Sequence, residues 1–364
     1  MTLSALYDTL RPLRFTTLRV KYRLGAPLTV PRAAGSALRG ALGWGLGRAL
    51  SEGVYRRPAA HVLGDGPFER LWEPRLSSEV APKLNMASHS RATPPYVVSA
   101  PGPQEYAEGA LFTFALVLVG AAAQTLPLWV AACERVARHQ RLFRTGERPG
   151  GVPAQLVEVR DLDGRVLFDG AERAFTSGFY RHGARHVRAA DALAGGAPSD
   201  LPGAPCTLRL RFRAPTQLSR RKAERERLRR TGAKRGERAD YIDRFRPEHL
   251  GVLVERLYYR LFVLAQLYCA EAPVQPYPGR AALPKLPDAE VARQDASFDA
   301  VTLSRQGQAQ SLGALTGTVT FAGPLAPLAS LFELGAHLHI GKSTSAGFGR
   351  FSVSVEEFSG GDAP

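Results

Sequence analysis

The same alternation occurs once in each half of the chain, and this repeat limits the possible folds more than any other feature. In the first half, Leu18, Val20, Tyr22 and Leu24 alternate with Arg19, Lys21 and Arg23. In the second, Cys206, Leu208, Leu210 and Phe212 alternate with Thr207, Arg209, Arg211 and Arg213. A period of two is that of a β-strand with one face buried and the other in solvent. Each strand therefore sends apolar side chains into a core and cations to the opposite face. Two such openings in 364 residues predict two packed domains, taken as 1–170 and 204–364 with a linker at 171–203.

The remaining periodicities fill in both halves. Leu38, Ala41, Leu42, Leu46, Ala49 and Leu50 recur at helical spacing from a cap near Ser36. Residues 109–119 read as a strand and 127–143 as a helix with Trp129, Ala132, Cys133 and Val136 on one face. Residues 157–168 read as a hairpin turning at Asp163-Gly164. In the second half, a helix over 248–269 presents Leu250, Leu253, Val254, Leu257, Leu261, Leu264 and Tyr268. Leu315, Gly317, Val319 and Phe321 alternate as a strand, 325–334 forms a short helix, and Phe351, Val353 and Val355 close the chain. Strands and helices interleave, so the class is α+β, with each half a βαββαβ unit. Helices in such a unit cover one face of an antiparallel sheet and leave the other open. The cationic strand positions point to that open face.

With 48 Lys and Arg against 33 Asp and Glu, the net charge of +15 calls for a polyanionic partner. Only six of the 48 are lysine; the planar arginine fork suits phosphate contacts and base stacking, although a GC-rich genome gives the same bias. Residues 220–238 hold ten basic and three acidic side chains within a basic insertion at 219–246. Arg220, Arg221, Lys222, Arg229 and Arg230 there are expected to order against phosphates. Residues 110–133 carry no charge, but Gln124, Thr125 and Pro127 interrupt them, so they read as strand, turn and helix rather than a membrane span. Cys133, Cys206 and Cys269 lie far apart with no C-x-x-C pair, which points to neither a disulfide framework nor a cysteine zinc site and fits a reducing cytoplasm. The opening MTLSALYDTLRPLRF has no basic region ahead of an apolar core, so no secretion signal is expected.

Residues 339–351, HIGKSTSAGFGRF, place Gly341, Gly347 and Gly349 among Lys342, Ser343, Thr344 and Arg350. Glycines permit positive φ and close backbone approach, so successive amides can face a phosphate. The Gly-Lys-Ser run is not a nucleotide-hydrolysis loop: five residues, not four, separate Gly335 from Gly341, and a strand rather than a helix follows.

A loop of the form GKxTxxGxGR, after an apolar helix and before a final strand, resembles the signature of the RAMP superfamily of CRISPR proteins. Histidine directly before it resembles the repeat-RNA-processing endoribonuclease branch, the Cas-six family. Near the other end, Gly35, Ser36, Leu38, Arg39, Gly40 and Gly43 resemble the G-S-x-x-R-G-x-x-G stretch of the same branch. The resemblance implies two ferredoxin-like (RRM-like) domains in tandem, binding of CRISPR repeat RNA, and metal-independent cleavage. One form of that function keeps the protein on its product as a subunit of an effector complex. The alternative is a non-catalytic subunit that only holds guide RNA. The cysteine cluster that many family members carry after the first helix is absent here, and no histidine lies in residues 1–60.

Cleavage of this kind needs a base for a ribose 2′-OH, an acid for the leaving 5′-oxygen and cations for the phosphorane. The products are a 2′,3′-cyclic phosphate and a 5′-hydroxyl. Of eight histidines, His339 leads because it abuts the loop at the family position, and His61, the first after the first helix, is second. Lys342, Arg39 and Tyr22 are candidate stabilisers. The RNA-binding set is Arg19, Lys21 and Arg23, then Arg209, Arg211 and Arg213, the basic insertion, and Gly341, Ser343, Thr344, Gly347, Gly349 and Arg350. His182 and His186 have a metal-pair spacing that nothing nearby completes, so neither metal nor cofactor is expected.

Overall fold

The computed structural model describes residues 2–51, 66–86, 91–143, 150–194, 205–230, 240–305 and 308–357. Its first half contains β1 (Arg14–Leu24), α1 (Ala34–Ser51), β2 (Tyr96–Ser99), β3 (Leu111–Val119), α2 (Leu126–Arg138), β4 (Ala154–Arg160) and β5 (Val166–Asp169). The sheet runs β2-β3-β1-β4-β5, and its strand pairs are antiparallel. This is the ferredoxin-like order for the first four strands, extended by the hairpin at Gly164. Leu18, Val20, Tyr22 and Leu24 are buried in one core with residues of α1 and α2. The glycines of α1 allow the helices to approach closely: a Cβ on Gly45 would lie 2.4 Å from the carbonyl oxygen of Ala132.

The second half contains β6 (Cys206–Thr216), the basic helix α3 (Lys222–Arg230), α4 (His249–Tyr268), β7 (Glu290–Arg305), β8 (Gln308–Gly323), α5 (Ala329–Leu338) and β9 (Phe351–Glu357). Its sheet runs β7-β8-β6-β9, the same ferredoxin-like order. Two strands lacked any signal in the sequence. Tyr96–Ser99 is buried at all four positions and so does not alternate. The EVARQDASFDAVTLSR run of β7 lies on a sheet edge, and a register shift between Val291 and Arg293 breaks the alternation of the face on which Val291, Ala296 and Phe298 pack against the core.

The two halves are joined over a broad apolar junction. Phe15 and Thr17 lie on the same face of β1 as Arg19, Lys21 and Arg23, yet both are buried. Phe15, Val97, Val117 and Val119 form one cluster with Leu257, Leu261 and Leu264 of α4. The ring of Phe15 lies 5.3 Å from that of His337, and Tyr268 Oη donates to the Thr93 carbonyl at 2.6 Å. Helices of the second half therefore cover one end of the open face of the first sheet and leave only the end with Arg19, Lys21 and Arg23.

Of the expected linker at 171–203, residues 171–194 are described, and they hold secondary structure. Ala174–Phe175 pairs with β5, Val187 and Arg188 pair with the start of β1, and the intervening helix Ser177–His182 is capped by the Thr176 hydroxyl. Ala189 and Leu193 are buried, so this segment is packed rather than spanning. Residues 110–133 form strand, turn and helix. Among the described residues, no helix is long and apolar enough to cross a membrane.

Candidate nucleic-acid interface

The glycine-rich segment leaves α5 at His339, whose φ is +63°, and positive φ recurs at Gly341, Ser343, Gly347 and Gly349. This backbone is wound against carbonyls and not opened toward solvent. The amide of Ile340 donates to Gly349 O at 3.0 Å, that of Lys342 to Gln217 O at 3.2 Å and that of Gly349 to Pro215 O at 2.9 Å. Gly347, Gly349 and Thr344 are buried; Lys342 and Ser343 are exposed. Correcting the sequence expectation, the glycines close the loop on its neighbours, and the amides of Ile340, Lys342 and Gly349 are already committed.

His339 lies beneath the loop at 1% exposure. Its Nδ1 is 3.1 Å from Phe348 O and its Nε2 is 3.2 Å from Ser99 Oγ. A carbonyl only accepts, so Nδ1 carries the hydrogen and Nε2 accepts from Ser99. Burial, then the neighbouring Arg260 charge, pushes the imidazole down to about 3. A neutral ring with both nitrogens engaged and no solvent access ties the loop to the first domain and has no direct path to a phosphodiester. Arg350 makes a second tie, donating from Nη1 to Ala100 O at 2.7 Å.

The glycine motifs from opposite ends of the chain meet here. A Cβ on Gly35 would lie 2.3 Å from Ala346 O and 3.0 Å from Gly347 Cα, so the start of α1 packs directly on the loop. Beside that contact opens a cleft of about 210 Å³ bordered by Arg32, Ala100, Arg213, Thr316 and Phe348. Arg32 pairs with Asp299 at 3.3 Å, and Arg213 Nε donates to Ser352 Oγ at 3.1 Å.

None of the three expected stabilisers borders this cleft, Lys342 lining a separate cavity. Tyr22 is fully buried, donating to Cys133 O at 3.0 Å, because it lies on the core face of β1. Arg39 donates to Tyr96 Oη at 3.0 Å and Glu73 Oε1 at 3.3 Å and lies over the Trp72 ring at 5.0 Å; it holds α1 to its own domain.

The two open sheet faces differ in charge balance. On β1, Lys21 pairs with Glu158, which also binds Arg160 at 2.8 Å, while Arg19 and Arg23 are exposed. On β6, Arg209, Arg211 and Arg213 are all exposed. Arg209 faces Thr320 and Ser354 across the register and Arg211 faces Thr318 and Ser352, so neutral hydroxyls flank the cationic row.

In the basic insertion, Arg220 is 6% exposed and pairs with Glu224 and Asp243, so it belongs to the packed base of α3. Arg229 pairs with Asp240 at 2.6 Å, Arg221 with Glu255 at 4.0 Å and Lys222 with Glu226 at 3.9 Å; Arg230 is exposed.

None of the described histidines borders the cleft. His61 and His89 lie outside the described residues. The helix bearing His182 ends there and Gly183 turns the chain with φ +62°, so His182 and His186 do not share a helical face. Among the described residues, no cluster of three or more His, Cys, Asp or Glu side chains suited to a metal ion occurs. Reading the sequence missed Arg256 and Arg260 on α4. The available signal was Arg260 interrupting the stripe of Leu253, Leu257 and Leu264.

Residues 13–178 match the family model AF_1859_N, an N-terminal domain, and residues 210–351 match that of the CRISPR-associated endoribonuclease Cas6. No curated protein sequence matches the chain. Among solved structures, a chain of a partial Cas6-RT-Cas1–Cas2 complex superposes on 94% of this chain at 14% identity and a TM-score of 0.50, over 46% of its own length. A chain of a Cas6-RT-Cas1–Cas2 complex gives the same identity and TM-score over 29% of its length. This chain thus spans less than half of those two relatives. A Cas6 product complex matches 93% of this chain and 99% of its own at 16% identity, with a TM-score of 0.47. The second half of the chain, residues 210–351, is therefore similar to the CRISPR-associated endoribonuclease Cas6, and both halves follow the ferredoxin-like strand order.

Proposed function

We propose that this protein processes CRISPR precursor RNA. It binds repeat RNA across the cleft beside the glycine-rich loop and along the open face of β6. It cuts by attack of a ribose 2′-OH without a metal ion, and it stays on its product as a subunit of a larger effector assembly. The observation that carries this reading is the contact of Gly35 with Ala346 and Gly347, which brings both family motifs to one cleft between the domains. The exposed row of Arg209, Arg211 and Arg213 supplies a track for the phosphate backbone. Of the two histidines expected to be catalytic, His339 is given the loop-ordering role. His61 is assigned the proton transfer, and Lys342, exposed on the loop, supplies positive charge.

The test is end-labelled cognate repeat RNA with excess EDTA, beside a copy with a single 2′-deoxy substitution at the cut. One cut in the native RNA, with the deoxy copy bound and intact, is the expected result; His61→Ala then stops the cut and leaves binding. A second reading, a subunit that holds guide RNA without cutting it, is favoured by one observation: no described histidine borders the cleft. Both RNAs bound and intact would establish that reading instead.

The track makes its own prediction. Each phosphate contact with a single strand adds about −0.7 to the slope of log K against log salt. Replacing Arg209, Arg211 and Arg213 with Ala should flatten that slope by about 2 in fluorescence anisotropy titrations. An unchanged slope would exclude this face.

A further inference from the structure

On the other side of the glycine-rich loop lies a second, smaller cavity of about 180 Å³, bordered by Arg256, Arg260, Lys342, Ser219, Thr93 and Gly341 among others. Among the described residues, no carboxylate borders it. Arg256 and Lys342 are exposed, and Arg260 is 8% exposed. The Arg260 guanidinium gives Nε to the Leu338 carbonyl at 2.7 Å, but its buried Nη2 has no hydrogen-bond partner among the described residues. It makes no ion pair among them either. A buried cation without a counter-charge is among the costlier things a fold contains, and its removal from water is offset only by an anion or a full set of acceptors.

Lys342 is held in place: its Nζ donates to Tyr241 Oη at 3.4 Å and lies 5.1 Å from the centre of that ring. Burial pushes the Arg260 guanidinium down to about 9, which leaves it charged at neutral pH. Three cations from two elements, the Thr93, Ser219 and Tyr259 hydroxyls and, among the described residues, no acid thus converge on this cavity. That volume accepts a phosphate group and part of its hydration.

We propose that this pocket is a phosphate-binding site, with Arg260 at its base and Arg256 and Lys342 at its mouth. It takes either a backbone phosphate of bound RNA beyond the interdomain cleft or a free phosphate group. The RNA form of the proposal rests on the function proposed above; the phosphate form does not. Both forms explain an apolar helix carrying arginine in phase with its leucines.

The test uses the full chain, its Arg260→Met variant, which keeps length and removes charge, and Arg256→Ala, which alters only an exposed side chain and keeps the experiment readable should Arg260→Met fail to fold. Inorganic phosphate should raise the melting temperature of the wild-type chain above that in chloride of equal ionic strength. Both variants should lose most of that rise. With repeat RNA, each variant should flatten the salt slope by about 0.7 if the occupant is a backbone phosphate. Protection by phosphate with an unchanged RNA slope identifies a free phosphate as the occupant. If phosphate protects wild type and variants equally and the RNA slope is unchanged, Arg260 is a structural cation and the proposal is wrong. An RNA that does not bind at all defeats the proposed function and leaves the phosphate result standing.

Discussion

Gly349→Ala is expected to destabilise the protein by about 3–5 kcal/mol, a large share of the ~5–15 kcal/mol that holds a typical domain together. Gly349 has φ +73°, and a Cβ built on it would lie 1.7 Å from Ile340 O and 3.0 Å from Ile340 N. Those are backbone atoms and do not rotate away. Left-handed backbone costs a non-glycine residue about 1–2 kcal/mol, and overpacking adds about 1–3 kcal/mol. The bonds from Ile340 N to Gly349 O and from Gly349 N to Pro215 O would also open. Gly40→Ala is the control. Gly40 lies in α1 with nothing within 4 Å of its built Cβ, so the change should stabilise by about 0.5–1 kcal/mol. Urea unfolding of both variants reads the contrast. Equal effects would mean that the loop is not closed as described.

The second large effect is acid lability at His339. Its folded pKa of about 3 lies below the ~6.5 of a free imidazole. Below pH 6.5 the unfolded chain takes up a proton that the folded chain refuses, so stability is complete above 6.5 and declines as pH falls toward 3. The slope from this one group is about 1.4 kcal/mol per pH unit, or roughly 3 kcal/mol lost by pH 4.5. His186, His249 and His337 are also lowered, each chiefly by burial, and contribute in the same direction.

His339→Asn isolates the term. At pH 7 it should be less stable by about 1–3 kcal/mol, having lost the Ser99 bond, and its stability should fall less steeply with acid by one proton. Identical slopes would show that the imidazole is not held neutral in the fold. The same variant separates tie from catalyst: where it is folded, its single-turnover cleavage should stay near wild type, whereas losing a general base costs about 10²–10⁴-fold.

Much of the architecture was legible. The alternation in 18–24 and 206–213 set two sheets and their apolar faces, and the helical spacing of α1, α2 and α4 set what covers them. Elements without a periodic signal were not legible: the wholly buried Tyr96–Ser99 and the edge strand Glu290–Arg305, whose alternation the register shift breaks. The candidate site was legible as motifs and misread in detail. The GKxTxxGxGR form located the loop, but residue type alone does not distinguish a glycine that offers its amide from one that yields to a neighbour's carbonyl. Nor does it distinguish a histidine facing solvent from one facing Ser99.

The sequence by itself determined the class, two βαββαβ units with cationic open faces, because strand and helix periods are local and each residue's polarity is enough to read them. The tertiary structure alone decided that Gly35 abuts Ala346, that the second domain's helices cover half of the first sheet's open face, and that Arg220 and His339 are buried while Arg209 and Lys342 are not. Those outcomes depend on contacts between residues more than a hundred positions apart or on the packing of whole elements, and no local pattern in the chain encodes either.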